Sequence, residues 1–180
     1  MAWSSTNFQG VWVFEPTIWK DDRGYFFETY SKRNLPDELQ YITFVQENEA
    51  FSLRGVIRGL HFQQGPHAQS KLVRVVQGEV LDVIVDLRLE SPTFGQHMSI
   101  LLNDMTKKQF FVPKGFAHGY ITLSETAIFS YKCDAFYDKN SEGGLHCADP
   151  SLGIDWILPT ETWIMSPKDE TLPFLSQLNL

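Results

Sequence analysis

From Gly10 to Cys133 the chain is a succession of short segments in which apolar and polar residues alternate, separated by glycine, proline, asparagine and aspartate. Alternation of period two belongs to half-buried strands, because successive side chains of a strand leave opposite faces. The segments run Val11-Phe14, Tyr25-Tyr30, Ile42-Val45, Gly55-Gln63, Lys71-Val76, Glu79-Leu87, Met98-Leu102, Gln109-Val112, His118-Leu123 and Ala127-Cys133. Gln77-Gly78, Asn103-Asp104 and Pro113-Lys114-Gly115 read as tight hairpin turns between them. About ten strands at this spacing, with no long helical period, predict an all-β sandwich or barrel. Helical pattern is confined to Asn34-Leu39, enough for a turn or two. After Asp134 the chain becomes loop-rich, with Pro159, Pro167 and Pro173, yet keeps Leu152, Ile154, Trp156, Ile157, Trp163 and Ile164, so this tail must pack on something. With no repeat and no linker, residues 1–180 read as one domain with a packed C-terminal extension.

Composition limits the partners. A chain of 180 residues buries roughly 70% of its unfolded surface, and 43% hydrophobic with 21% charged residues suits a core that needs no staples. A net charge of −7 and the lack of any basic run argue against a nucleic-acid polymer, while a few arginines in a cleft still allow a small anion. Aromatic residues make up 14%, which favours strands or a ring-binding site. No apolar run reaches the ~20 residues of a membrane span. The opening residues Met1-Asn7 lack a signal-peptide pattern, and Cys133 and Cys147 read as free thiols. The expectation is a cytoplasmic protein with no membrane partner.

The densest polar constellation lies on predicted strands: Arg58-Gly59-Leu60-His61-Phe62-Gln63, then Ser70-Lys71-Leu72-Val73-Arg74. Strict alternation puts Arg58 and His61 on opposite faces, so for both to serve one cavity a bulge near Gly59 is required. Ala127, Phe129, Tyr131 and Cys133 share an apolar face, which predicts Tyr131 inward and Lys132 outward. Taken singly, His61 reads as a satisfied histidine, Lys71 as an edge lysine, Tyr131 as core and Arg58 as a salt-bridge residue. Together they put four polar groups on barrel strands, and burying such groups costs free energy unless they are paired. Pro113-x-Gly115-x-x-His118 is similar to the second motif of metal-binding cupins, but the first motif here reads His61-Phe62-Gln63, with Gln63 where a ligand is needed, so no metal is expected. Ser166-Pro167-Lys168-Asp169 fits a helix N-terminus, and spacing alone makes Asp169 a capping residue.

Several runs in this order resemble one family across nearly the whole chain. They include Asp22-Arg23-Gly24-Tyr25-Phe26-Phe27-Glu28, Arg58-Gln63, Lys71-Arg74, Ser91-Pro92-Thr93-Phe94-Gly95, Pro113-Gly119, Tyr131-Lys132-Cys133, Asp149-Pro150 and Lys168-Asp169. The family is that of the dTDP-4-dehydrorhamnose 3,5-epimerases, metal-free cupin-type enzymes that need no cofactor. The resemblance implies a cupin-like antiparallel β barrel, or jelly roll, working as a homodimer. It implies a dTDP-4-keto-6-deoxy sugar substrate, epimerised at C3 and C5. It assigns His61 as general base, Asp169 as its supporting carboxylate, Tyr131 as general acid and Lys71 as the cation beside the C4 oxygen. Arg58, His118, Glu142 and Lys168 match sugar- or phosphate-contacting positions, and Gln46, Glu47 and Asn48 a nucleotide-binding strand. Arg23, Phe26 and Glu28 match residues lent across a dimer interface, and Tyr137 the ring that stacks on thymine. The chain departs from the family at Glu49-Ala50-Phe51-Ser52, where a serine-rich run is common, and at Leu145-Ala148, where a tryptophan is common. A single-centre epimerase, a non-catalytic nucleotide-sugar-binding cupin and a metal-dependent oxygenase are the competing readings.

Overall fold

A computed structural model describes residues 1–179. Its strands are β1 (Ala2–Ser5), β2 (Trp12–Glu15), β3 (Trp19–Asp21), β4 (Gly24–Phe26), β5 (Gln46–Leu53), β6 (Ile57–Gln63), β7 (Lys71–Gln77), β8 (Glu79–Asp86), β9 (His97–Asn103), β10 (Gln109–Val112), β11 (Phe116–Thr122), β12 (Thr126–Cys133) and β13 (Glu142–Gly144). One sheet has the order β1-β2-β10-β7-β12-β5, the facing sheet β13-β6-β11-β8-β9, and β3 and β4 form a separate two-stranded ribbon. Every pairing between these strands is antiparallel. The all-β class is what the alternation predicts, and the jelly roll is what the resemblance implies.

The turns, however, do different work from the one expected. Gln77-Gly78, Asn103-Asp104 and Pro113-Lys114-Gly115 are not hairpins but corners, because each carries the chain from one sheet to the other. The same turn residues suit either job, and the choice is made by which strands the apolar faces bring together. Gly78 sits at φ +83°, and a Cβ there would lie 2.2 Å from the Thr126 carbonyl oxygen, so the corner has no room for a side chain.

Three apolar layers hold the sheets. Val73, Val75, Ile84, Phe110, Phe129 and their neighbours fill the space between the sheets. Leu81, Val83 and Val85 face the other way, where the tail covers them with Leu145, Cys147, Leu152 and Trp156. β8 is therefore apolar on both faces, which is why its pattern is continuous rather than alternating. The outer face of the six-stranded sheet is covered by Leu35, Leu39 and Ile42, which with Leu72 and Phe111 form the third cluster. The helical pattern near Asn34 becomes two single 3₁₀ turns, Lys32–Asn34 and Asp37–Leu39. Ile42-Val45 is irregular, and the strand begins one residue later. Its polar alternation, Gln46 to Leu53, hides it from a search for apolar periodicity. Ser91 and Thr93 donate their hydroxyls to Asp86, each at 2.6 Å, so that run builds a turn around a buried carboxylate.

Candidate active site

Between the sheets opens a cavity of about 480 Å³. β6 contributes Arg58 and His61, β11 His118 and Tyr120, β7 Lys71, and β12 Phe129 and Tyr131. One wall is the tail segment Ile164-Asp169, moored to the start of β6 by Ile57 N donating to the Ile164 carbonyl at 3.0 Å. The bulge required by the sequence is present. Opposite β11 the register runs from His118↔His61 to Tyr120↔Arg58, so one residue of β11 faces two of β6. Gly59, at φ +122°, makes this possible, since a Cβ there would fall 2.7 Å from the His118 carbonyl oxygen. Arg58 and His61 consequently enter the same cavity.

His61 Nε2 lies 2.6 Å from Asp169 Oδ1, across 108 residues of sequence. The capping expectation for Asp169 is thus corrected. Ser166 Oγ does accept the Asp169 amide at 3.1 Å, but the Asp169 carboxylate turns inward to the imidazole. Burial pushes the Asp169 carboxyl up; the His61 hydrogen bond and charge, with Ser166 and the Gly59 amide, outweigh it and hold the group below the ordinary carboxylate range. With Nε2–H donated to this carboxylate, Nδ1 carries the lone pair, which is the tautomer a base needs.

Tyr131 comes from the opposite sheet. Its phenol is pushed up by burial first, with Cys133 and Tyr120 adding and Arg58 and Asn48 opposing, so it stays protonated at neutral pH. Lys71 Nζ stands 6.0 Å from the Tyr131 ring centre. Burial lowers the Lys71 amine, while Cys133, Asp82 and Glu142 favour its charge. Lys132 points outward as predicted and pairs with Glu47 at 2.6 Å.

Sequence reasoning missed Asp82. Both its carboxylate oxygens lie 3.0 Å from His118 Nε2, and both side chains are buried. Burial raises the Asp82 carboxyl, against the pull of His118 and Lys71. The available signal was a single acid inside the apolar run Val80-Leu81-Asp82-Val83-Ile84-Val85.

A recess of about 350 Å³ adjoins the cavity, sharing His61, Lys71 and Tyr131 with it and adding Gln46, Asn48, Tyr137 and Glu142. The Tyr137 hydroxyl donates to Glu142 at 3.0 Å, and Lys168 pairs with the other Glu142 oxygen at 2.6 Å. Four of the expected residues lie outside both the cavity and the recess. Glu47 faces the other side of β5, because alternation takes it away from Gln46 and Asn48. Arg23 is exposed at the β3–β4 turn and bound to Asp21, Phe26 is exposed beside it, and Glu28 is bound to Asn34. Gln63, at the position of a cupin ligand, accepts the Asp138 amide at 2.9 Å, and among the described residues no group of three or more His, Cys, Asp or Glu side chains converges to hold a metal.

This geometry can be set beside known proteins. The family model described as dTDP-4-dehydrorhamnose 3,5-epimerase matches residues 5–177. The chain belongs to that family. It is 44% identical to the dTDP-4-dehydrorhamnose 3,5-epimerase of Salmonella typhimurium over 96% of this chain and 94% of the relative. The crystal structure of the Elizabethkingia anophelis enzyme of that name superposes with a TM-score of 0.93 at 47% identity, covering 100% of this chain and 99% of the other. A Legionella pneumophila dTDP-6-deoxy-D-glucose-3,5-epimerase, solved in complex with dTDP-4-keto-L-rhamnose, gives a TM-score of 0.92 at 44% identity, covering 99% and 94%. The family is one of carbohydrate epimerases, and the jelly roll with a histidine and a tyrosine on facing sheets is its frame in this chain.

Proposed function

We propose that the chain epimerises dTDP-4-dehydro-6-deoxy-D-glucose at C3 and C5, giving dTDP-4-dehydro-β-L-rhamnose. The observation that carries this is the placement of His61–Asp169 on one wall and Tyr131 on the opposite sheet, with Lys71 beside Tyr131 on the neighbouring strand. A C–H next to a ketone becomes acidic when the enolate oxygen is stabilised, and a cation in a water-poor cavity does this strongly. His61 Nδ1 takes the proton, the electron pair moves into an enolate, and the Lys71 ammonium faces its oxygen. Tyr131 then returns a proton to the other face, the electron pair re-forms the C–H bond, and the centre is inverted. No electrons leave the substrate, so the step calls for no redox cofactor, and the Lys71 cation takes the charge-stabilising role that a Lewis-acid metal fills elsewhere.

The recess suits the nucleotide: Tyr137 is a half-exposed ring for thymine, and Gln46 and Asn48 offer amides for its edge. Arg58 and Lys168 flank the diphosphate, and Glu142 and His118 the sugar. The Trp19–Phe26 ribbon exposes Trp19, Tyr25 and Phe26, a surface that a second copy would cover. In a homodimer this ribbon carries Arg23 and Phe26, and Glu28 just beyond it, toward the neighbouring nucleotide. Residues 1–180 then act as one unit, since the tail supplies Lys168 and Asp169 to a cavity built by the sheets. Two buried, unpaired cysteines suit a reducing cytoplasm.

Incubation in deuterated water, followed by NMR at both carbons, tests the reaction: deuterium at C3 and C5 is expected. Label at C3 alone makes this a single-centre epimerase, and no label with intact binding makes it a binding protein. Arg23→Ala should weaken nucleotide binding in homodimers and recover one good site when mixed with a His61→Ala partner; failure to recover removes the shared-site reading.

A further inference from the structure

Arg58 is held unlike the arginines that grip carboxylates elsewhere in the chain. Arg23 binds Asp21 at 2.6 Å and Arg88 binds Asp86 at 2.7 Å. Arg58 pairs with no carboxylate among the described residues. Its Nε donates to Ser52 Oγ at 3.0 Å and its Nη2 to the Phe51 carbonyl at 3.1 Å. A guanidinium carries five N–H groups in one plane, so two neutral acceptors fix that plane while the positive charge stays unmatched.

Ser52 is itself anchored. It is buried, and its hydroxyl lies 3.0 Å from the buried Tyr120 hydroxyl. The Tyr120 ring stacks on Phe129 at 4.2 Å, in the core between the sheets. A buried phenol needs a partner, and here its partner is the atom that receives Arg58. A chain of contacts thus runs from core to cavity rim, Phe129 to Tyr120 to Ser52 to Arg58, ending in a cation with no carboxylate partner among the described residues.

We propose that Ser52 and Tyr120 are positioning residues that aim the Arg58 guanidinium at the diphosphate of the bound nucleotide sugar. The proposal rests on the nucleotide-sugar reading above. It makes Ser52, and not only Arg58, a determinant of affinity for the anionic part of the ligand, leaving the base and the chemistry to other residues.

The test titrates thymidine diphosphate and thymidine against the full chain and its variants. Ser52→Ala should weaken thymidine diphosphate about tenfold, the scale of losing a hydrogen bond to a charged group. Tyr120→Phe, one contact further away, should weaken it about threefold. Thymidine affinity should stay at the parent value in both. Adding Ser52→Ala to Arg58→Ala should cost nothing beyond Arg58→Ala itself, since residues acting through one another are not additive. In turnover the same variants should raise KM with kcat held within about twofold. Equal diphosphate affinity in Ser52→Ala and parent overturns the proposal. So does an undiminished loss in the Arg58→Ala background, or a matching loss for thymidine. Should Ser52→Ala fail to fold, Tyr120→Phe removes a single oxygen and carries the same comparison. A parent protein that binds no thymidine diphosphate would instead bring down the nucleotide-sugar reading, with the seat along with it.

Discussion

Two histidine–carboxylate pairs face one cavity, and their construction differs. His118–Asp82 is closed within a single sheet, between neighbouring strands β11 and β8, with side chains 6% and 0% exposed. His61–Asp169 joins a sheet to the tail, and its imidazole is 31% exposed while its carboxylate is 5% exposed. Environment separates the acids as well. Burial dominates at Asp82 and raises it, whereas hydrogen bonds and the facing imidazole win at Asp169 and lower it. A pair whose imidazole meets solvent can take a proton and pass it on. A pair sealed in the sheet is suited to holding a ring still.

The comparison breaks first, if it breaks at all, on His61→Ala. Loss of a general base costs up to about 10⁴-fold, and solvent exchange at both carbons should fall by that order. His118→Ala should cost at least tenfold less, and equal losses would erase the distinction drawn here. Next comes Tyr131→Phe, expected to cut net inversion by about 10²-fold while leaving proton abstraction, read as label exchange on recovered substrate, less affected. Equal loss of both would mean that one group serves both faces. Asp169→Asn should lower kcat by about tenfold or more, as removal of a partner that orients a ring does. Because Asp169 is held below the ordinary range, it remains ionised through mild acid, so its protonation should not set the acid limb of the pH–rate profile above about pH 4.

The smallest effect concerns a third buried carboxylate, Asp86, which touches no part of the cavity and provides a control. Arg88, Ser91 and Thr93 hold it, and despite burial its pKa falls to about 2. A depressed native pKa gives stability that is complete above the unfolded value near 4 and fades as pH falls through the native one. Asp86→Asn should therefore lower Tm at pH 7 by several degrees, with the gap closing toward pH 2 and turnover per folded molecule unchanged. A gap that stays constant down to low pH would show that the pair adds nothing as a charge.

Much of the molecule is legible in residue order. Period-two alternation in Lys71-Val76 and Ala127-Cys133 gave both the strands and the inward side of Tyr131, because the pleat alone decides which residues share a face. Gly59 between Arg58 and His61 allowed the bulge to be stated as a requirement. The strand Gln46-Leu53 was obscured because its inward face carries Gln46, Asn48 and Ala50, which line a cavity rather than a core, and Ser52, a buried polar residue. Asp82 looked like one acid in a strand until His118 stood beside it.

What the sequence alone determined is therefore local: strand periodicity, the position of the bulge, the residue types able to move a proton, and, through resemblance, their roles. Which strands became neighbours was decided only in three dimensions. Gln77-Gly78 can close a hairpin or turn a corner, and only burial of both faces of β8 makes it a corner. The same holds for Asp169, 108 residues from His61. Capping geometry is set by the four residues around it, but its carboxylate finds an imidazole because burying Trp156 and Leu152 against the outer face of the five-stranded sheet brings the tail alongside β6. Contacts of that range are set by the sum of burial over the whole chain, which no short stretch of residues contains.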